Sequence, residues 1–315
     1  MNLRRTALLA AAVVLLSTIV RSMPVYNDDD RQDTVDVQDD EAQALADSTV
    51  ALFDAGKVKV RGARAALTTE SYQEAMQLCE GERFSSQNIG PNCSGSLVAP
   101  DMVLTAGHCI QDEAGCKATA FVFGFRVRKN GATPKSVSAD QVYGCAGIVG
   151  RKLEGEVGAD WAVVRLDRAV MDHRPIAIHR EDVSNGTPLM VIGYPNGLPE
   201  KVAGGGAVLD ASQAGFYRTN LDTFHGNSGS PVFHAGSAKI VGVLVRGEED
   251  FETVEKEDGT KCLKTKRCMP NDNCRGEDVT KASEFAAMVP EHRRARAAAA
   301  SSPTFNSLRK LTGGE

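Results

Sequence analysis

Several absences narrow the possibilities before any motif is considered. The 315 residues hold no long hydrophobic run: the apolar stretch from Ala7 to Val20 is 14 residues, against about 20 for a comfortable membrane crossing. No cysteine lies near the end of that stretch, which argues against a lipid-anchored lipoprotein. No excess of positive charge exists either. A formal charge of −5 favours neither nucleic acid nor an anionic membrane as partner. The late cysteines Cys262, Cys268 and Cys274 have no histidine among them and do not have zinc-site spacing. Nowhere do strand-like and helix-like segments alternate as a parallel α/β sheet requires.

What is present reads first as an exported protein. Arg4 and Arg5 precede the apolar run and Ser22 closes the segment, the plan of a secretory signal cleaved after Ser22. The expected location is extracellular or periplasmic. Eight cysteines in such a chain (Cys79, Cys93, Cys109, Cys116, Cys145, Cys262, Cys268 and Cys274) imply a disulfide framework. Asp28, Asp29, Asp30, Asp33, Asp36, Asp39, Asp40 and Glu41 face Arg31 alone, and such a run is expected to be a solvated segment. Helical spacing follows at Ala42, Leu45, Ala46 and Phe53. It returns at Tyr72, Ala75, Met76 and Cys79, where Thr68 or Thr69 could cap.

From about Cys93 the texture changes. Short apolar runs at Leu97–Ala99, Met102–Leu104, Phe121–Val127, Trp161–Leu166, Leu189–Tyr194, Gly206–Leu209, Phe216–Arg218 and Ile240–Val245 are separated by Gly, Pro, Asn and Asp. That pattern predicts an all-β sandwich or barrels. Ser283 is placed to cap a last helix through Phe285, Met288 and Val289, with Pro290 as a break or kink.

Three short segments carry chemistry. Thr105-Ala106-Gly107-His108-Cys109 places a histidine after a buried-looking strand. Ala159-Asp160-Trp161 places a carboxylate at the mouth of an apolar strand. Gly226-Asn227-Ser228-Gly229-Ser230-Pro231 places a serine in a glycine turn. Singly, each has a bland explanation: a structural histidine, a strand-entry carboxylate, a Gly/Ser loop. Together they supply what serine catalysis needs. The hydroxyl is a weak nucleophile until a base takes its proton, histidine titrates near neutrality, and a buried carboxylate fixes the imidazole tautomer. The chain order His108, Asp160, Ser228 is the chymotrypsin order, and the α/β-hydrolase elbow fails because Ser230 stands at its last glycine.

On these motifs the chain resembles the trypsin/chymotrypsin superfamily of serine endopeptidases. Within it, Asn227 and Ser230 and the segment Val25–Arg31 are similar to the bacterial glutamyl-endopeptidase-like branch. The resemblance implies two antiparallel six-stranded β-barrels with the catalytic cleft between them, an N-terminal extension and a C-terminal helix. The expected organisation is 1–22 signal peptide, 23–78 N-terminal extension, 79–175 first barrel with His108 and Asp160, 176–282 second barrel with Ser228, and 283–315 helix and tail.

It further implies His108 as base then acid, Asp160 as its orienter, Ser228 as nucleophile, and the amides of Gly226 and Ser228 as oxyanion hole. The Cys93–Cys109 spacing of 16 resembles the superfamily disulfide that pins the histidine loop. For the other six cysteines, Cys116–Cys145, a pair among Cys262, Cys268 and Cys274, and a tie from Cys79 to a late loop are expected. Neither metal nor organic cofactor is implied, and a monomer acting on protein or peptide is expected.

Specificity stays open at this point. Asp222 and Thr223 are expected to line the pocket for the residue before the cut, and Leu244 and Arg246 its wall. Thr223 matches a threonine that glutamyl endopeptidases use, but their wall histidine is here Leu244. Asp222 stands where trypsins bind Lys or Arg, unless it turns away to local backbone amides. Arg246 could neutralise Asp222 or meet an acidic substrate. His225 is expected on the rim, and His173, His179, His234 and His292 in ordinary loops. Asn227 cannot form the ion pair by which trypsins activate, so signal removal or a short trim near Met23–Val25 is expected to suffice. The competing readings are a catalytically inactive relative that binds or scaffolds, and an esterase, which the chain order disfavours.

Overall fold

The structure is a computed structural model describing residues 25–291 except 27, 130, 156, 270, 271 and 273. The signal segment 1–22, His292 and the end of the tail lie outside the described residues.

Two closed six-stranded antiparallel barrels form the body. In the first, Thr119–Val122 pairs with Val142–Leu153, which pairs with Asp160–Leu166. Met102–Thr105, Cys93–Ala99 and Thr49–Asp54 follow, and the last returns to Thr119–Val122. In the second, the order is Pro188–Gly193, Pro231–His234, Lys239–Arg246, Glu277–Lys281, Phe216–Thr219 and Lys201–Asp210, closed by pairing of the last with the first.

The unbroken apolar runs have a simple cause. Strand side chains alternate between faces, and here both faces are covered. In Asp160–Leu166, Ala162 and Val164 point into the first barrel with Leu52, Leu97 and Phe121. Trp161 and Val163 point into a second core between the barrels, with Met190, Phe233, Val243 and Phe285. Burying one such side chain contributes about 1.5–3 kcal/mol, so this shared core fixes one barrel against the other and with it the two halves of the cleft.

The N-terminal boundary expected at residue 79 moves. Thr49–Asp54 is a strand of the first barrel, and Gln32–Asp33 adds to Lys201–Asp210 of the second. Only Asp40–Asp47 is helical in the first helix-like stretch, capped by Asp39 accepting from the Ala42 amide. Phe53 belongs instead to the following strand, in a cluster with Ala65 and Phe125. The second helix is a single turn, Tyr72–Ala75, capped by Ser71 rather than Thr68 or Thr69.

The helix expected from Ser283 is replaced by two short 3-10 turns, Ala282–Glu284 and Ala286–Met288. Ser283 turns its hydroxyl to Asp182 instead of capping, and Arg180 binds the carbonyls of Ala286 and Val289. His173 is no loose loop residue either. It is buried, stacked on Phe123 and hydrogen-bonded to Asp47 and Gln141.

The acidic stretch is not simply solvated. Arg31, 2% exposed, makes two side-chain hydrogen bonds to Asp29 and lies 3.7 Å over the ring of Phe224. Asp33 takes the buried Lys201 ammonium at 2.6 Å. Charge density in a sequence does not distinguish a solvated face from one whose partners arrive from another barrel.

All eight cysteines are paired: Cys79–Cys262, Cys93–Cys109, Cys116–Cys145 and Cys268–Cys274.

Beside Lys201, Glu200 is 2% exposed and accepts from the hydroxyls of Thr34 and Tyr194. Burial pushes its carboxyl up to about 8, against the lowering pull of Arg126. The folded state therefore holds a proton that the unfolded chain releases near 4.5. Stability is full below that value and falls as pH rises toward 8, by up to about 1.4 kcal/mol per pH unit. Lys201 acts in the adjoining window. Burial lowers its ammonium to about 8, so its contribution changes above that pH and not below. Between pH 5 and 7.5, wild type should lose stability relative to Glu200→Gln. Urea midpoints at several pH values measure this, and parallel profiles would refute it.

Candidate active site

His108 follows directly on the Met102–Thr105 strand, in a turn that Cys93–Cys109 ties to the adjacent Cys93–Ala99 strand. The neighbouring Asp160–Leu166 strand, in register with Ala162 opposite Thr105, brings its first residue to that turn. Asp160 is 2% exposed. One carboxylate oxygen contacts His108 Nδ1 at 2.7 Å and the other accepts the His108 amide at 3.1 Å. A buried carboxylate gripping both ring and backbone fixes the direction of the imidazole. The second barrel braces this pair: Thr280 Oγ1 accepts from the Asp160 amide at 3.1 Å and donates to its carbonyl at 2.9 Å.

The serine turn is held from the first barrel. The Ser94 amide donates to the Ser228 carbonyl at 2.8 Å, and the Ser94 hydroxyl donates to the Gly226 carbonyl at 2.8 Å. Gly226 and Gly229 have φ of +80° and +88°, a region that side chains disfavour. A Cβ on Gly229 would stand 2.0 Å from the Ser94 carbonyl oxygen.

The amides along the turn divide into two sets. His225 donates to Asp250, Asn227 to the Phe224 carbonyl, Gly229 to the Leu244 carbonyl and Ser230 to the Asn227 carbonyl. Those of Gly226 and Ser228 have no acceptor among the described residues. Ser228 and His108 line one cavity of about 230 Å³.

Residues 93–243, which include His108, Asp160 and Ser228, match the family model described as a trypsin-like peptidase domain. The chain carries a trypsin-like peptidase domain. Solved structures resemble it at low identity. A Glu endopeptidase in complex with MPD is 18% identical, with 84% of this chain and 96% of that one covered and a TM-score of 0.49. The VesB protease of Vibrio cholerae is 16% identical over 82% of this chain and 65% of its own, TM-score 0.45. The active form of the Rv3671c protease from M. tuberculosis is 14% identical over 82% and 87%, TM-score 0.43. No curated protein matches the chain.

Two residues expected to line the pocket of the peptidase domain do not. Asp222 is 5% exposed and turns from the cavity to accept the amides of Tyr26 at 2.7 Å and Asp30 at 2.9 Å. Asp30 in turn accepts from the amides of Gly204 and Gly205. Burial, then the neighbouring Asp30 carboxylate, drive the Asp222 carboxyl well above the usual range. Its work is to seat the N-terminal segment. Thr223 is also buried, and its hydroxyl donates to Glu277 at 2.6 Å.

Leu244 and Arg246 do line the cavity. Arg246 does not neutralise Asp222, because its guanidinium bonds Asp278 at 3.1 Å and the Gly158 carbonyl at 2.8 Å. His225 also lines the cavity and is exposed. Asn227 is buried, and its Oδ1 accepts from the Ser230 hydroxyl at 3.1 Å, a neutral arrangement that needs no incoming ammonium.

Three carboxylates on the cavity were not visible as site residues in the sequence: Glu248, Asp250 and Glu277. Glu277 is 2% exposed. Burial, with Asp250 and Glu248 adding to it, drives its carboxyl well above the usual range. Burial likewise pushes Asp250 up to about 7. No local motif surrounds them; only the pairing of Glu277–Lys281 with Lys239–Arg246 places Glu277 near Ser228.

Among the described residues, one group has metal-ligating proximity, Cys93, His108 and Cys109. Its two sulfurs are bonded to each other, so no thiolate remains to hold an ion.

Proposed function

We propose that this protein is a secreted serine endopeptidase in which His108, Asp160 and Ser228 act as a catalytic triad. The observation that carries the reading is that His108, hydrogen-bonded to the buried Asp160, lines the same cavity as Ser228. In the proposed course His108 takes the Ser228 proton while the hydroxyl oxygen bonds the scissile carbonyl carbon. The oxyanion so formed accepts hydrogen bonds from the Gly226 and Ser228 amides. His108 then gives its proton to the leaving amine as the carbon–nitrogen bond breaks, leaving an acyl-enzyme. Water, deprotonated by His108, attacks the ester, and Ser228 recovers its proton.

Support for the oxyanion hole is the state of those two amides, which lack acceptors while four others in residues 225–230 are bonded. A preorganised donor of this kind is worth about 3–4 kcal/mol in the transition state. Support for export is the arginine-led apolar segment at the N-terminus together with four disulfides. Among the described residues no helix is long and apolar enough to cross a membrane.

A small serine-reactive phosphonate tests the reading. It should label the disulfide-bonded protein once per chain. An unlabelled protein, or label retained by Ser228→Ala, would refute it.

A further inference from the structure

The residues that reach the cavity beside Ser228 give it an acidic lining. Glu277, Glu248 and Asp250 contribute carboxyl groups, and among the described residues Arg246 is its one Lys or Arg side chain. That guanidinium is engaged by Asp278, which is fully buried, and by the Gly158 carbonyl. It is therefore no ready counter-charge for an acidic ligand.

Glu277 is the most constrained of the three. Its side chain accepts from the Thr223 hydroxyl at 2.6 Å and from the Glu248 amide at 3.3 Å. Neither partner carries a charge, and among the described residues no cation lies within ion-pair distance of it. The backbone makes room for this carboxylate: a Cβ on Gly247 would stand 1.9 Å from Glu277 Oε2.

A buried carboxylate without a counter-charge is costly, which is why burial drives the Glu277 carboxyl well above the usual range while no cation among the described residues faces it. Here it lies on an opening shared with the proposed nucleophile, where a substrate group could supply the missing charge. A cavity of about 230 Å³ is on the scale of one side chain and below that of drug-sized ligand sites.

We infer that this cavity takes the lysine or arginine side chain of the residue preceding the scissile bond, and that Glu277 is the group that pairs with its charge. The inference rests on the peptidase reading above. Specificity for an acidic side chain is excluded on the same geometry. Such a group would find no unengaged cation among the described residues of the lining, and the Thr223 hydroxyl that might have greeted it is already donated to Glu277. The charge that selects substrate thus comes from the Glu277–Lys281 strand. Asp222, which sequence position suggested, is occupied with the N-terminal segment.

Fluorogenic peptides differing only at the residue before the cut, with Arg, Lys, Leu, Gln or Glu there, test this on the full disulfide-bonded protein. Arg and Lys should exceed Glu in kcat/KM by at least about a hundredfold, and Glu277→Gln should collapse the Arg-to-Leu ratio by about the same factor. A variant that fails to fold does not remove the test. In wild type, benzamidine should slow phosphonate labelling of Ser228, whereas the neutral benzamide should not. A preference for Glu or Leu, or equal effects of benzamidine and benzamide, overturns the inference alone. An Arg-to-Leu ratio unchanged in folded Glu277→Gln overturns the role of Glu277. Absence of Ser228-dependent labelling overturns the peptidase reading and the inference with it.

Discussion

Ser228→Ala should lower kcat on a good peptide substrate by roughly 10⁶-fold while leaving the fold intact. The size follows from the proposed triad acting as a unit. Without the hydroxyl oxygen no ester forms, and His108 has no proton to accept at the reacting centre. What remains is binding and the amides of residues 226 and 228, which by themselves are worth roughly 10³–10⁴ over water. The fold should survive because no hydrogen bond among the described residues depends on the Ser228 hydroxyl. The turn is held through backbone, by Ser94 to the 228 carbonyl and Gly229 to the Leu244 carbonyl. Urea unfolding should therefore shift by no more than about 0.5 kcal/mol. A variant that keeps more than a thousandth of wild-type kcat, with no contaminating protease, would remove Ser228 from the mechanism.

Asp160→Asn should cost about 10⁴ in kcat with little change in KM. Asp160 presents one oxygen to His108 Nδ1 and the other to the His108 amide. An asparagine can keep its oxygen on the backbone amide, but then its NH₂ faces Nδ1. That ring nitrogen must accept rather than donate, the proton moves to Nε2, and the imidazole can no longer take one from Ser228. In the proposed reading substrate would contact the cavity and not the buried Asp160, which is why KM should hold. Steady-state kinetics beside thermal unfolding separate this from a structural role. If kcat and KM changed together, or melting fell in step with activity, Asp160 would be acting through the fold alone.

The three residues of the proposed triad stood out in the sequence because serine chemistry needs few groups and writes them into short local motifs. His108 follows a strand and adjoins a cysteine; Asp160 opens a strand buried on both faces; Ser228 sits between glycines. Each is a property of a handful of consecutive residues. Other expectations failed where contacts span the chain. The Asp-rich run looked solvated, yet Asp29 and Asp33 hold Arg31 and Lys201 in buried pairs. Thr49–Asp54 looked like the end of a helix because Phe53 continues a helical spacing. It is a strand because Cys93–Ala99 and Thr119–Val122 offer it edges to pair with.

Asp222 shows the same limit at the site itself. Its distance along the chain from Ser228 is that of a specificity carboxylate, and sequence allowed two orientations. The choice was made by residues nearly two hundred positions away: the amides of Tyr26 and Asp30 claim both its oxygens. Glu277 is the reverse case, a carboxylate in a fully buried strand with no motif around it, brought to the cavity by strand pairing alone.

The sequence by itself determined an all-β chain, a disulfide framework and three motifs in chymotrypsin order. Those features reside in local spacing and in alternation along strands. Only the tertiary structure decided which carboxyl groups face the cavity beside Ser228. Burying Glu277 and turning Asp222 away depend on which distant amides, hydroxyls and glycines meet when two barrels close, and that information is carried by no single stretch of the chain.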